Sequence, residues 1–93
     1  MHLSVSNLDL HMIPRRLFVE ELRRLGFRYL QQKDKVEIYK RPGDIRYANV
    51  RRKDLIAEAE ARLILRQAGQ TEQQIAAWIA GVLARIQNEP QTT

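Results

Sequence analysis

The first apolar pattern with helical spacing lies in residues 14–26. Phe18, Leu22 and Leu25 follow the i, i+4, i+7 rule of a helix with one buried face. Pro14 suits the first turn, where its missing N–H costs nothing. Gly26 stands where a helix commonly ends in a left-handed residue. The pattern predicts a helix that ends at Gly26.

Two further helices are predicted in residues 54–88. Asp54 is a plausible N-cap of the second helix, and Gly69 ends it. Thr71 then caps the third helix, with Gln74 in the position of its capping-box partner. The third helix carries an apolar stripe at i, i+3, i+4, i+7, i+8 and i+11, formed by Ile75, Trp78, Ile79, Val82, Leu83 and Ile86.

Between the first two helices the pattern favours strands. Candidate strands cover about residues 27–32, 35–41 and 45–50, and the turns are Lys33–Asp34 and Pro42–Gly43. Such short connections predict an antiparallel meander. With each hairpin centred on its turn, Tyr29 would lie opposite Ile38, and Ile38 opposite Tyr47. The strand residues that share the core face would then be Phe27, Tyr29, Val36, Ile38, Ile45 and Tyr47.

The predicted fold class is α+β. A three-stranded antiparallel sheet would have helices packed on one face, in the order α-β-β-β-α, with an additional C-terminal amphipathic helix. Residues 14–88 would form this single domain. Residues 1–13 are predicted to be an arm or a short strand, because Leu8, Leu10 and Met12 alternate, and residues 89–93 a polar tail.

Composition narrows the class of protein. Of the 93 residues 44% are hydrophobic, none is cysteine, and no run is long enough for a membrane span. No signal peptide is visible, so we expect a cytoplasmic protein without membrane or thiolate metal chemistry. His2 and His11 lack ligand-like spacing, and no catalytic constellation stands out. We therefore expect no metal, cofactor or recognisable catalytic residue.

The charge distribution predicts a polyanionic partner. The net charge is +5, yet residues 14–53 hold 13 Lys and Arg against 5 Asp and Glu. Arg51–Lys53 directly precede the predicted second helix, where a phosphate could bind the helix N–H groups. In the predicted register Arg28, Tyr39 and Arg46 form one exposed row that could stack an unpaired base. A solvated turn and routine cross-strand packing are the alternatives. The full set of candidate nucleic-acid contacts is Arg28, Lys33, Lys35, Tyr39, Arg41, Arg46, Arg51, Arg52 and Lys53.

The stripe of the third helix has two interpretations. A Trp within such a stripe usually belongs to the core of its own domain. The stripe is long for a small domain, however, so part of it could be a homodimer seam. The candidate seam residues are Trp78, Ile79, Val82 and Leu83.

Two stretches give the chain a family resemblance. The segments "RRLGFRYLQQKDKVEIYKRPGD" and "LILRQAGQTEQQIAAWI" resemble the HicA toxins of bacterial toxin–antitoxin systems, over about residues 14–80. The most telling matches are Gly26–Phe27, Tyr39–Pro42 and Ile64–Gly69. The resemblance implies a double-stranded-RNA-binding-domain fold, an mRNA ribonuclease activity, and an antitoxin partner.

The chain departs from this family at the residue that matters for cleavage. The Gly-Ser-His signature of HicA toxins, whose histidine acts in RNA cleavage, falls here on Asp34, Lys35 and Val36. Valine can neither take nor give a proton, as hydrolysis through a 2′-OH requires. His2 and His11 cannot be its equivalents by sequence. We therefore expect a relative that lost cleavage and kept binding.

Three functional hypotheses remain open. The first is an RNA-binding protein without nuclease activity. The second is an active toxin-type mRNA ribonuclease with a displaced catalytic residue. The third is a protein-interaction module, either a homodimer or the binder of an acidic, antitoxin-like protein.

Overall fold

A computed structural model describes residues 12–88 and shows an α+β protein with two antiparallel sheets. β2, β3 and β4 form a three-stranded sheet in that order, and β1 pairs with β5. This confirms the predicted fold class. The predicted tail and all but the end of the predicted arm lie outside the described residues. The elements are β1 Met12–Pro14, α1 Arg15–Arg24, β2 Arg28–Lys33, β3 Val36–Lys40, β4 Tyr47–Arg51, β5 Leu55–Ala57, α2 Glu58–Gln67 and α3 Glu72–Asn88.

The helix ends follow the sequence signals closely. Gly26 and Gly69 have φ values of +97° and +98°, in the left-handed region that favours glycine. After α1 the Phe27 N–H donates to the Leu22 carbonyl at 2.9 Å, which closes a Schellman motif. Before α3 the Thr71 and Gln74 side chains bond each other's backbone N–H groups, at 3.1 and 2.8 Å. These predictions are confirmed.

The start of the second helix was predicted wrongly. Asp54 is not an N-cap, because residues 55–57 form β5 and α2 begins at Glu58. In β5 Ile56 pairs with Ile13 of β1, and both side chains are buried. The Asp54 carbonyl accepts the Arg15 N–H at 2.8 Å, which ties this connection to the start of α1. Burial of Ile56 against Ile13 therefore outweighs the local helix signal.

Phe27 is buried as predicted, but the predicted core face is inverted in β3 and β4. Tyr39, Ala48 and Val50 point into the core, whereas Ile38 and Tyr47 lie on the outer face. Residues 45–50 hold two apolar alternations of opposite phase, Ile45 with Tyr47 and Ala48 with Val50. The phase with Ala48 and Val50 inside prevails, because the other phase would bury Asn49 and Arg51 without partners. Ile38 therefore pairs with Asn49 rather than Tyr47.

The first hairpin turns at Asp34–Lys35 rather than at the predicted Lys33–Asp34, because Lys33 belongs to β2 and pairs with Val36. An irregularity in β2 then changes the register again. The pairing changes between Tyr29 and Gln31, so Tyr29 lies opposite Tyr39 and Gln31 opposite Ile38. The predicted pairing of Tyr29 with Ile38 is therefore wrong. A bulge of this kind moves side chains from one face to the other and leaves no clear signal in the sequence.

The stripe of α3 completes the core of its own chain. Ile75, Ile79 and Val82 are buried, and the Trp78 ring lies 6.0 Å from the Phe18 ring of α1. Ile79 and Val82 are therefore unavailable to the predicted dimer seam, since the core already covers them. Trp78 and Leu83 are partly buried against the same core. No helix within residues 12–88 has both the length and the apolar character that a membrane span needs.

Candidate functional site

One end of the central sheet carries a cleft lined almost entirely by cations. The turn between β2 and β3 meets the segment after β4 there, where the Arg52 N–H donates to the Lys35 carbonyl at 2.9 Å. The cleft has a volume of about 480 Å³. We call it the basic cleft, and its lining residues are Lys35, Val36, Arg51, Arg52 and Lys53. The structure thus brings together four of the predicted nucleic-acid contacts.

The charges of the basic cleft are poorly neutralised. Arg51 Nε lies 3.6 Å from Glu60 Oε2, and Arg52 Nε lies 3.8 Å from Glu37 Oε2. Both arginine side chains are more than half exposed, at 61% and 52%, so these ion pairs are weak. Lys35 and Lys53 have no carboxylate partner among residues 12–88. The cleft therefore presents a surplus of positive charge to solvent.

The basic cleft has no helix N-terminus, contrary to prediction. Arg51–Lys53 were expected to precede a helix directly, but β5 lies between them and α2. Any anion in the cleft would therefore be held by side chains rather than by a helix dipole. Lys33 flanks the cleft, because Lys33, Val36 and Arg51 form one cross-strand row of the outer face.

Glu37 connects the basic cleft to α1. Its carboxylate forms an ion pair with Arg15 and accepts a 2.9 Å hydrogen bond from the Tyr39 hydroxyl. Burial alone would raise the pKa of Glu37, but the bonds from Tyr39 and Arg15 outweigh it, and its pKa lies below the ordinary value. Burial and the Glu37 carboxylate raise the pKa of Tyr39. Tyr39 therefore keeps its proton and Glu37 its negative charge, so the pair acts as a stabilising hydrogen bond.

The predicted row of Arg28, Tyr39 and Arg46 does not form. Tyr39 is only 3% exposed and cannot stack a base. The outer face instead carries a row of Arg28, Lys40 and Tyr47, shifted by one residue in two of the strands. Lys40 Nζ lies 5.8 Å from the centre of the Tyr47 ring and donates to the Asp44 carbonyl at 2.6 Å. The row therefore holds an aromatic ring beside cations, but the ring is at the end of the row, on β4, and not in its middle.

Arg41 and Arg46 hold the opposite end of the sheet together. We call Arg41, Asp44 and Arg46 the arginine clamp. Both guanidinium groups donate to the Asp44 carboxylate, at 2.6 Å from Arg41 Nη2 and 3.0 Å from Arg46 Nη2. Hydrogen bonds from Arg46 and then Arg41 hold the pKa of Asp44 well below its usual range.

The arginine clamp also reaches the ends of two helices. Arg41 Nη2 donates to the Ala68 carbonyl at 3.0 Å, and Arg46 Nη1 donates to the Gln67 carbonyl at 2.5 Å, both at the end of α2. The Arg41 guanidinium lies 4.8 Å from the centre of the Phe27 ring, beside the end of α1. Cations are favourable at helix C-termini. Arg41 and Arg46, predicted as nucleic-acid contacts, are thus occupied by contacts within the chain.

Sequence reasoning missed Arg15 and Glu37. The predicted register would put Glu37 on the outer face together with Tyr39, and only the inverted phase of β3 turns Glu37 towards Arg15. The one signal available was its position as the sole carboxylate of the second strand. No group of His, Cys, Asp or Glu within residues 12–88 is arranged to hold a metal ion.

Comparison with protein-family models, with curated proteins and with solved structures finds no match to this chain. The resemblance to the HicA toxins therefore stays a prediction from sequence.

Proposed function

We propose that this protein binds RNA, and that the phosphates of the RNA occupy the basic cleft. The observation that carries the proposal is the gathering of Lys35, Arg51, Arg52 and Lys53 around one cleft, where residues 12–88 provide only two long ion pairs. Phosphate oxygens are strong acceptors for guanidinium and ammonium groups. A polyanion would supply the negative charge that the neighbouring side chains do not.

RNA is favoured over an acidic protein by the geometry of the cations. They line a concave cleft at the tip of a hairpin instead of spreading over a flat surface, which suits a chain of phosphates. The resemblance to a family of RNA-cleaving toxins points the same way. We place this activity in the cytoplasm as part of the same proposal.

We further propose that bound RNA stays intact. Val36 lines the basic cleft at the position where the resemblance puts a catalytic histidine, and its side chain has no proton to exchange. The histidines of the sequence, His2 and His11, lie outside the described residues. Glu37 is engaged by Arg15 and Tyr39 and is a weak base because its pKa is lowered.

The test is a fluorescence anisotropy titration with labelled RNA at two salt concentrations, with each endpoint run on a denaturing gel. We expect uncut RNA and a salt slope of roughly −3, which corresponds to about four phosphate contacts. The variant Lys35→Gln/Lys53→Gln should bind about tenfold more weakly, from the loss of two charged contacts.

Arg66→Gln is the matched control for the single variants Lys35→Gln and Lys53→Gln, each of which also removes one charge. Arg66 is similarly exposed, at 52%, and carries the same charge outside the basic cleft, in an ion pair with Glu72. If the control weakens binding as much as these single variants do, the contact is non-specific and the cleft is not the site. Cut RNA would restore the ribonuclease hypothesis. No binding at low salt would leave an acidic protein as the partner to seek.

A further inference from the structure

A second cleft, which the sequence did not predict, lies between α1 and the central sheet. Its volume is about 600 Å³, and Tyr29 stands at its wall. The Tyr29 side chain is half exposed, at 52%, and its ring meets Tyr39 edge-on, with centres 5.9 Å apart and planes at 77°. We call this the tyrosine cleft. It is lined by Arg15, Arg16, Val19, Glu20, Arg23, Tyr29, Glu37 and Tyr39.

Arginines line the two depressions to which the exposed ring belongs. Arg23 lines the tyrosine cleft and also an adjoining depression that Arg28 and Tyr29 share. Within residues 12–88 neither Arg23 nor Arg28 has a carboxylate partner. The two acids of the tyrosine cleft are already engaged, because Glu20 pairs with Arg85 at 2.9 Å and Glu37 with Arg15. The ring therefore lies in a positive environment.

The tyrosine cleft adjoins the basic cleft. Arg15, which lines the tyrosine cleft, donates through Nε to the Arg51 carbonyl at 3.0 Å. Glu37 contacts Arg15 on one side and lies near Arg52 on the other. A strand whose phosphates occupy the basic cleft could thus continue past Glu37 to Tyr29.

We propose that Tyr29 stacks an unpaired base of the bound RNA while Arg23 and Arg28 contact the adjacent phosphates. This inference rests on the proposed function and names the class of RNA: a strand with unpaired bases, rather than a blunt duplex. An exposed aromatic ring among guanidinium groups is the usual platform for an unstacked base. The edge-on contact with Tyr39 holds the ring in place before binding, which lowers the entropic cost. Every base has a π-face, so little sequence preference is expected.

Tyr47 provides a matched control. It is exposed to the same degree, at 53%, but belongs to the outer face of the sheet. Its ring faces the Lys40 ammonium group, which is held by the Asp44 carbonyl. Tyr47→Ala removes an equally exposed ring from a position that lines neither the basic cleft nor the tyrosine cleft.

The experiment compares Tyr29→Ala, Tyr29→Phe and Tyr47→Ala with the wild type. The probes are a single-stranded RNA carrying the fluorescent base 2-aminopurine and a blunt duplex of the same sequence. We expect Tyr29→Ala to weaken binding of the single strand about 5- to 100-fold and to leave duplex binding nearly unchanged. Tyr29→Phe and Tyr47→Ala should bind like the wild type. Wild-type protein should quench the 2-aminopurine, and Tyr29→Ala should not.

The outcomes separate this inference from the proposed function. If the wild type binds neither probe, the proposed function fails. If the wild type binds but Tyr29→Ala binds equally well, stacking at Tyr29 is overturned and RNA binding stands. An equal loss for single strand and duplex also overturns stacking, because it indicates a general effect on the surface. Unquenched 2-aminopurine in the wild-type complex overturns stacking without any variant, so a misfolded variant does not obscure the answer.

Discussion

The two ends of the central sheet both carry arginines, and they use them in opposite ways. At one end the arginine clamp joins Arg41 and Arg46 to one carboxylate and to backbone carbonyls at 2.5 to 3.2 Å. At the other end the arginines of the basic cleft are 3.6 and 3.8 Å from their nearest acids, and its lysines have no acidic partner within residues 12–88. Positive charge serves the fold in the clamp and faces solvent in the cleft.

This contrast shows that the contacts of a basic side chain indicate its role better than its presence in the sequence does. Arg41, Arg46, Arg51 and Arg52 look equivalent in the sequence, in one basic block. Their contacts separate them. A satisfied guanidinium has little left to offer a ligand, whereas a loosely paired one can exchange its partner for a phosphate at small cost.

The largest expected effect comes from breaking the clamp. Arg41→Met removes bonds to Asp44 and Ala68 and leaves a carboxylate and a carbonyl short of donors. We expect a loss of about 3 kcal/mol in the free energy of unfolding, measured with urea. Arg66→Met, which breaks only an exposed pair with Glu72, should lower the free energy of unfolding much less. Equal losses in the two variants would show that the clamp stabilises the fold no more than an exposed ion pair does.

A smaller effect is expected from Asp44→Asn, and it should depend on pH. The folded pKa of Asp44 is depressed, so the charged carboxylate stabilises the fold above its unfolded pKa of about 3.9. This contribution is lost as the pH falls through the folded pKa. We therefore expect the wild type to melt above the variant at pH 7, and the difference to shrink as the pH drops below about 4. A difference that grows in acid would contradict this assignment.

The smallest expected effect is that of the cleft variant on stability. Lys35→Gln/Lys53→Gln removes charges that no acid within the described chain balances, so the free energy of unfolding should stay within about 0.5 kcal/mol of the wild type. The same variant should bind RNA more weakly. A large loss of stability here, in the same urea experiment, would mean that the cleft serves the fold as the clamp does.

Local signals in the sequence predicted local structure well. Gly26, Gly69 and the Thr71–Gln74 pair each specify a helix end through bonds within a few residues, and each is found as predicted. The phase of the sheet and the start of α2 depend on distant contacts, with β5 paired to β1 and Asn49 and Arg51 kept in solvent. No window of sequence contains those contacts.

The candidate site was predicted in part for the same reason. Lys35 and Arg51–Lys53 meet because a hairpin places its turn beside the end of the next strand, which the meander already implied. Tyr39 was expected on the surface and is buried, because the phase of β3 is inverted. Tyr29, its partner on the same face, is half exposed on the edge strand β2. A shift of one residue in the register of a strand therefore decides which aromatic ring a ligand can reach.

The arginine clamp also has a consequence for how fast the chain folds and unfolds. It joins the loop after β3 to the Gln67 and Ala68 carbonyls at the end of α2, and Arg41 Nη1 also lies 3.4 Å from the Leu25 carbonyl after α1. It can close only after both helices have reached their ends. We expect clamp bonds to be absent from the folding transition state, so that Arg41→Met accelerates unfolding and leaves the refolding rate almost unchanged. The clamp would then slow unfolding and lengthen the lifetime of the folded state.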